Sequence, residues 1–216
     1  MPAFFQKARD PISSYSHFIG AGLSLLGLFV MALRFIVEDC TLITVLSSLL
    51  FCISLIALYS ASGIYHFSQA GAKVIRILRK LDHAMIYVLI AGSYTPILLS
   101  ILPPEKGIPF TIIIWSVALA GILFKLCWIG APRWLGTLLY LAMGWAILID
   151  PGALTNLSVP ALTLLAAGGV FYTIGGIIYL FKYPNLSPVF GFHEIFHIFV
   201  VAGSICHYFM VFFFIA

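Results

Sequence analysis

Residues 191–209 read GFHEIFHIFVVAGSICHYF, and the five residues His193-Glu194-Ile195-Phe196-His197 inside them match HExxH, the zinc-binding helix signature of metalloproteases. Whether this is a peptidase depends on the flanks. The signature opens an apolar run that continues to residue 214, long enough for a helix that crosses a membrane. The surroundings of the motif are therefore lipid.

The rest of the chain agrees. Its 216 residues are 62% hydrophobic and only 8% charged, with a mean hydropathy of +1.13, whereas charged residues make up about a quarter of a soluble domain. Runs of about 20 apolar residues, enough to cross ~30 Å of hydrocarbon as helix, occur at 17–37, 42–65, 83–102, 108–128, 134–149, 158–181 and 192–214, the fifth being the shortest. The expected fold is an all-α membrane protein, one domain over residues 1–216 forming a seven-transmembrane-helix bundle. The connections leave no room for a second domain. The first run follows Lys7 and Arg9 but is too long for a signal peptide and lacks a small-residue cleavage site, so it counts as a span.

The net charge is +4, which raises the question of an anionic partner such as nucleic acid. Loop charge gives a better account. If the spans alternate, Lys7, Arg9, Lys73, Arg76, Arg79, Lys80, Lys125, Arg133 and Lys182 share one side and only Arg34 and Lys106 the other. The positive-inside rule then places the N-terminus in the cytoplasm and the C-terminus outside. The basic segment 73–80 sets topology and can also touch anionic headgroups; no nucleic-acid partner is implied, and no feature specifies an oligomeric state. Cys40, Cys52, Cys127 and Cys206 lie in or at the ends of different spans without a CxxC pair, so they form neither a disulfide framework nor a thiolate metal site.

Ionisable groups inside spans are costly and usually functional, which makes their depth informative. The second span ends on the inside at Ser62-Gly63-Ile64-Tyr65-His66, the third begins there with Leu81-Asp82-His83, and the seventh begins there with His193 and His197. With His17 at the start of the first span, five of the six histidines and Asp82 fall in one layer beneath the cytoplasmic face. His193 and His197 stand at i and i+4, so both imidazoles leave one helical face about 6 Å apart along the axis. Such a pair can grip one metal ion, but two histidines leave a tetrahedral zinc site half empty.

His66, at matching depth on another span, is the best third ligand. Asp82 could be a fourth ligand or hold the bound water, and Ser62, four residues before His66, could hydrogen-bond that water or the imidazole. Imidazoles without a thiolate suit zinc. Each element has a plainer role: a hydrogen-bonded histidine pair, a cation at a helix C-terminus for His66, an acidic helix N-terminus for Asp82, a backbone bond for Ser62. Convergence from three spans on one layer favours the metal. His207 lies about 15 Å further along the helix and is expected to donate to a neighbouring helix. His17, with Ser13 at i−4, is expected in a polar cluster behind the ligands, and His83 at the interface.

Taken in order, Ser13-Ser14-Tyr15-Ser16-His17 with Gly20, Ser60-Ala61-Ser62-Gly63-Ile64-Tyr65-His66, Leu81-Asp82-His83 through Ser93-Tyr94-Thr95-Pro96, Met143-Gly144-Trp145, Tyr172-Thr173-Ile174-Gly175, and Phe192 to His197 through Gly203 and His207 resemble the hemolysin III family. This is the bacterial branch of the progestin and adipoQ receptor superfamily, itself similar to the alkaline ceramidases. The resemblance spans nearly the whole chain. It implies seven helices, a cytoplasmic N-terminus, a multi-pass protein of the cell membrane (the inner membrane of a bacterium), and zinc on His66, His193 and His197, with Asp82 on the zinc water and Ser62 in support. In the receptor branch the position of Glu194 is often Gln, which cannot act as a base, so a peptidase role for Glu194 is disfavoured and a base role is the weaker expectation.

The expected function is a zinc-dependent hydrolase of a lipid amide or ester at the cytoplasmic leaflet, ceramidase-like, with Asp82 taking the proton. A non-enzymatic lipid sensor with structural zinc is the alternative. A haemolysin that perforates membranes, as the family name implies, is the third. Gly20, Gly27, Gly168, Gly169, Gly175 and Gly176 are expected to permit close helix approach.

Overall fold

A computed structural model describes residues 7–128 and 130–216; among these there is no strand. The helices are α1 (Pro11–Val37), α2 (Leu42–Phe67), α3 (Ala72–Ile101), α4 (Pro104–Cys127), α5 (Arg133–Gly144), a one-turn α6 (Gly152–Thr155), α7 (Val159–Phe181) and α8 (Phe192–Phe214). Their starts follow from local chemistry, because a helix in lipid cannot leave its first N–H groups unpaired. Thr41 Oγ1 accepts the Thr44 N–H at 3.2 Å ahead of α2. Ser158 does the same for Ala161 ahead of α7, and the Glu194 side chain accepts the Gly191 N–H at 2.9 Å at the start of α8.

Six helices, α1, α2, α3, α4, α7 and α8, are long and apolar enough to cross a membrane. The fifth expected span, 134–149, is different: α5 has 12 residues and ends at Gly144, and a 3-10 turn covers Ala146–Ile149. The break is held by α3. The Tyr94 hydroxyl donates to Gly144 O and accepts from the Ile147 N–H, both at 2.8 Å, which satisfies the backbone groups that the interrupted helix frees. The third span also departs from expectation. Helix α3 starts at Ala72, eleven residues before the apolar run at 83, so its first turns, ahead of that run, carry Arg76, Arg79 and Lys80.

Helices α1 to α4 pack in chain order, α5 lies against α3, α4 and α7, α7 against α8, and α8 returns to α1. Helices α2 and α3 are the centre: half or more of their apolar windows is buried, against a third or less for the other four. The outer helices keep apolar faces such as Ile19, Leu26 and Phe29 of α1 exposed, as lipid solvent permits. Where α7 meets α8, a Cβ on Gly168 would lie 3.1 Å from Gly203 O and one on Gly203 equally near Gly168 O. Only glycine lets these two backbones approach so closely. Return of α8 to α1 has the functional consequence, because it brings the first residues of the bundle against the last helix.

Candidate metal centre

His66 ends α2, and His193 and His197 occupy the first turns of α8. Their ring centroids are 4.6 to 5.0 Å apart, and one ring nitrogen from each lies within 4.8 Å of the other two. The arrangement of the remaining nitrogens determines what the cluster can do. His66 Nδ1 is 2.9 Å from Asp10 Oδ2. A carboxylate accepts, so Nδ1 carries the proton and Nε2 keeps its lone pair. His197 Nδ1 is 3.2 Å from the Ser13 carbonyl oxygen, and the same reasoning frees its Nε2. His66 Nε2 and His193 Nε2 face each other at 3.2 Å.

This donor set fits a tetrahedral divalent ion. With bonds of about 2.0–2.1 Å, nitrogen ligands stand roughly 3.3 Å apart. The His66–His193 pair already has that spacing. The outer contacts are those that metal-binding histidines use to fix tautomer and ring orientation: a carboxylate on one and a backbone carbonyl on the other.

Both contacts come from the start of α1, Asp10 as its N-cap and Ser13 in its first turn. Arg9 N–H donates to Phe67 O and Asp10 N–H to His66 O, at 3.3 and 2.9 Å, so residues 9 and 10 lie along the end of α2. The Asp10 carboxyl is held below its usual range, chiefly by the His66 hydrogen bond and then by Arg9, against the opposing effect of burial. Arg9 in turn lies 4.5 Å over the Tyr65 ring. Sequence reasoning missed Asp10 as a functional residue. The available signal was one acid directly after Lys7 and Arg9, immediately ahead of the first apolar run.

The other expected site residues divide. Asp82 and Ser62 reach the same level and both are buried, and the Ser62 hydroxyl faces the Asp82 carboxylate. Asp82 nevertheless stands outside the three-nitrogen group; its Oδ2 is 3.3 Å from His83 Nδ1. Glu194 is fully engaged elsewhere, one oxygen accepting the Ser13 hydroxyl at 2.8 Å and the other the Gly191 N–H. It caps α8 and ties it to α1. His17 is stacked on His197 with centroids 3.7 Å apart, and both its ring nitrogens are buried without a hydrogen-bond partner. His207 Nε2 donates to Leu165 O on α7 at 3.2 Å.

Two spaces meet at this layer. A chamber of about 310 Å³ runs into the bundle from Ser62, Asp82 and His197 to His207, with mainly apolar walls. A smaller vestibule of about 140 Å³ adjoins it, lined by Tyr65, His66, Arg79 and Arg133 among others. Asp82, His83, Tyr179 and His193 line both. The histidines thus stand between a polar entrance and an apolar interior.

The sequence pattern described as Haemolysin-III related matches residues 5–208. A "Hemolysin-3 homolog" of Bacillus subtilis (strain 168) is 36% identical over 211 residues, covering 97% of this chain and 96% of that protein. A "Hemolysin-3" of Bacillus cereus is 34% identical over 217 residues, covering 100% of this chain and 96% of the relative. Agreement on this scale, with six long apolar helices, identifies the chain as a multi-pass membrane protein that belongs to the Haemolysin-III related family.

Proposed function

We propose that this protein is a zinc-dependent hydrolase of a lipid amide or ester, working at the cytoplasmic leaflet. The observation that carries the reading is the convergence of His66, His193 and His197 at the boundary of an apolar chamber, two of them with Nδ1 already committed to Asp10 and Ser13. Bound by these three imidazoles, zinc would polarise a carbonyl and lower the pKa of a water molecule.

The chain's own residues supply the rest. The chamber takes the acyl tail and keeps water from it. Asp82, buried at the chamber mouth, accepts a proton from the attacking water on its carboxylate, and the Ser62 hydroxyl keeps that carboxylate oriented. Glu194 serves structure and not proton transfer, because both its oxygens are occupied. The test is metal content and fatty-acid release by purified protein, with His197→Ala beside the native chain. Equal release by both would end the hydrolase reading.

Membrane lysis is a second reading, favoured by the names of the two Bacillus relatives. Dye leakage from liposomes, with zinc-loaded and zinc-free protein, separates it from the first: lysis predicts leakage that does not follow the metal.

A further inference from the structure

We infer that the vestibule outside the histidine layer binds a phosphate-type oxyanion on Arg79 and Arg133, so that the ligand entering the chamber carries an anionic head. The inference rests on the proposed function only in assuming that the chamber takes a lipid tail.

The charges lining the vestibule do not balance. Arg79 and Arg133 face one carboxylate, Asp82, which lies against His83. Neither arginine belongs to any ion pair among the described residues. Arg9, by contrast, is neutralised by Asp10 at 3.0 Å, and Lys80 donates to Leu126 O at the end of α4. Two guanidiniums are therefore left without a counterion around a space of about 140 Å³.

Arg133 is held in place. Its guanidinium lies 4.7 Å over the Tyr179 ring and 5.3 Å over the Phe192 ring, and Nη1 donates to Tyr179 O at 3.2 Å. A guanidinium has five N–H donors, so most of its fork remains for a ligand. Ordering it in advance removes an entropy cost from binding, and the planar fork matches two oxygens of one phosphate group. Arg79 is exposed on the extension of α3 and also lines the vestibule, so it supplies the second charge.

The position of the vestibule narrows the source of the anion. It shares Asp82, His83, Tyr179 and His193 with the chamber, so one molecule can place a charged head between the arginines and its tail among the apolar walls. An anionic phospholipid meets both conditions; free phosphate meets only the first. A zwitterionic head brings an ammonium group into a space that already has excess positive charge.

The experiment uses purified, metal-free protein in neutral detergent, titrated calorimetrically with dihexanoyl phosphatidate, dihexanoyl phosphatidylcholine and inorganic phosphate. Phosphatidate is expected to bind about ten-fold or more tightly than phosphatidylcholine. Arg79→Gln should weaken phosphatidate binding about ten-fold and Arg133→Gln more, with Arg133→Lys between them because it keeps charge but not the fork. Arg133 also joins α5 to α7, so Arg79→Gln, at an exposed position, carries the test if Arg133→Gln fails to fold. Phosphate binding far more weakly than phosphatidate assigns the site to a lipid head, and equal affinities assign it to the free ion. Equal affinity for phosphatidate and phosphatidylcholine, or no response to either arginine substitution, overturns the proposal. Phosphatidate binding is read on metal-free protein and fatty-acid release on zinc-loaded protein, so the two readings fail separately.

Discussion

His197 and His207 lie ten residues apart on the same helix, both buried, and each donates one ring nitrogen to a backbone carbonyl oxygen of another helix. What surrounds them differs. His197 meets the imidazoles of His66 and His193 and the stacked ring of His17, whereas His207 meets the Tyr172 ring and the closely packed Gly168 of α7. Burial and a satisfied Nδ1 or Nε2 therefore do not distinguish a candidate ligand from a packing residue. Convergence of free nitrogens does.

The sharpest way to break this comparison is to remove each histidine and measure zinc affinity. His197→Ala removes one of the three proposed ligands and should cost more than the roughly hundred-fold upper range of an outer-contact loss, while His207→Gln, distant and unconnected, should stay within about two-fold. If His207→Gln lost metal as readily, the distinction would collapse. Next in size is Asp10→Ala, which frees His66 Nδ1 and should weaken zinc binding about ten- to a hundred-fold, again by titration with a competing chelator.

Smaller effects lie in stability. Gly168→Ala drives a methyl group against His207 and Gly203 O and should lower stability by about 1–3 kcal/mol, as overpacking does, with zinc affinity unchanged in the folded fraction. Glu194→Ala should cost about 1 kcal/mol through the lost α8 cap. Glu194→Gln, which retains an accepting oxygen, should leave fatty-acid release near the native rate. A collapse of release with Glu194→Gln at native stability would restore Glu194 as a base.

How much was written locally in the chain follows from the same contacts. Six of the seven expected spans were legible because length and apolarity alone decide them, and the HExxH spacing with His66 at equal depth pointed to the three imidazoles that the fold brings together. Asp10 was not legible, since its role exists only once residues 9 and 10 fold back over the end of α2. The interruption at Gly144 was hidden for a similar reason. The hydroxyl that holds it open belongs to Tyr94, fifty residues earlier. Arg133 read as one more basic loop residue until Tyr179 and Phe192 were seen to hold its guanidinium.

The contacts of Asp10, Ser13 and Glu194 have an implication for biogenesis. They join the start of α1 to residues at the end of α2 and the start of α8, so the three-imidazole pocket is absent from a nascent chain until its final helix is threaded into the bilayer. On the proposed zinc reading, metal capture would be a clasp that closes only on a fully inserted protein, and a ribosome-arrested chain lacking α8 should retain no zinc even with its first seven helices in place.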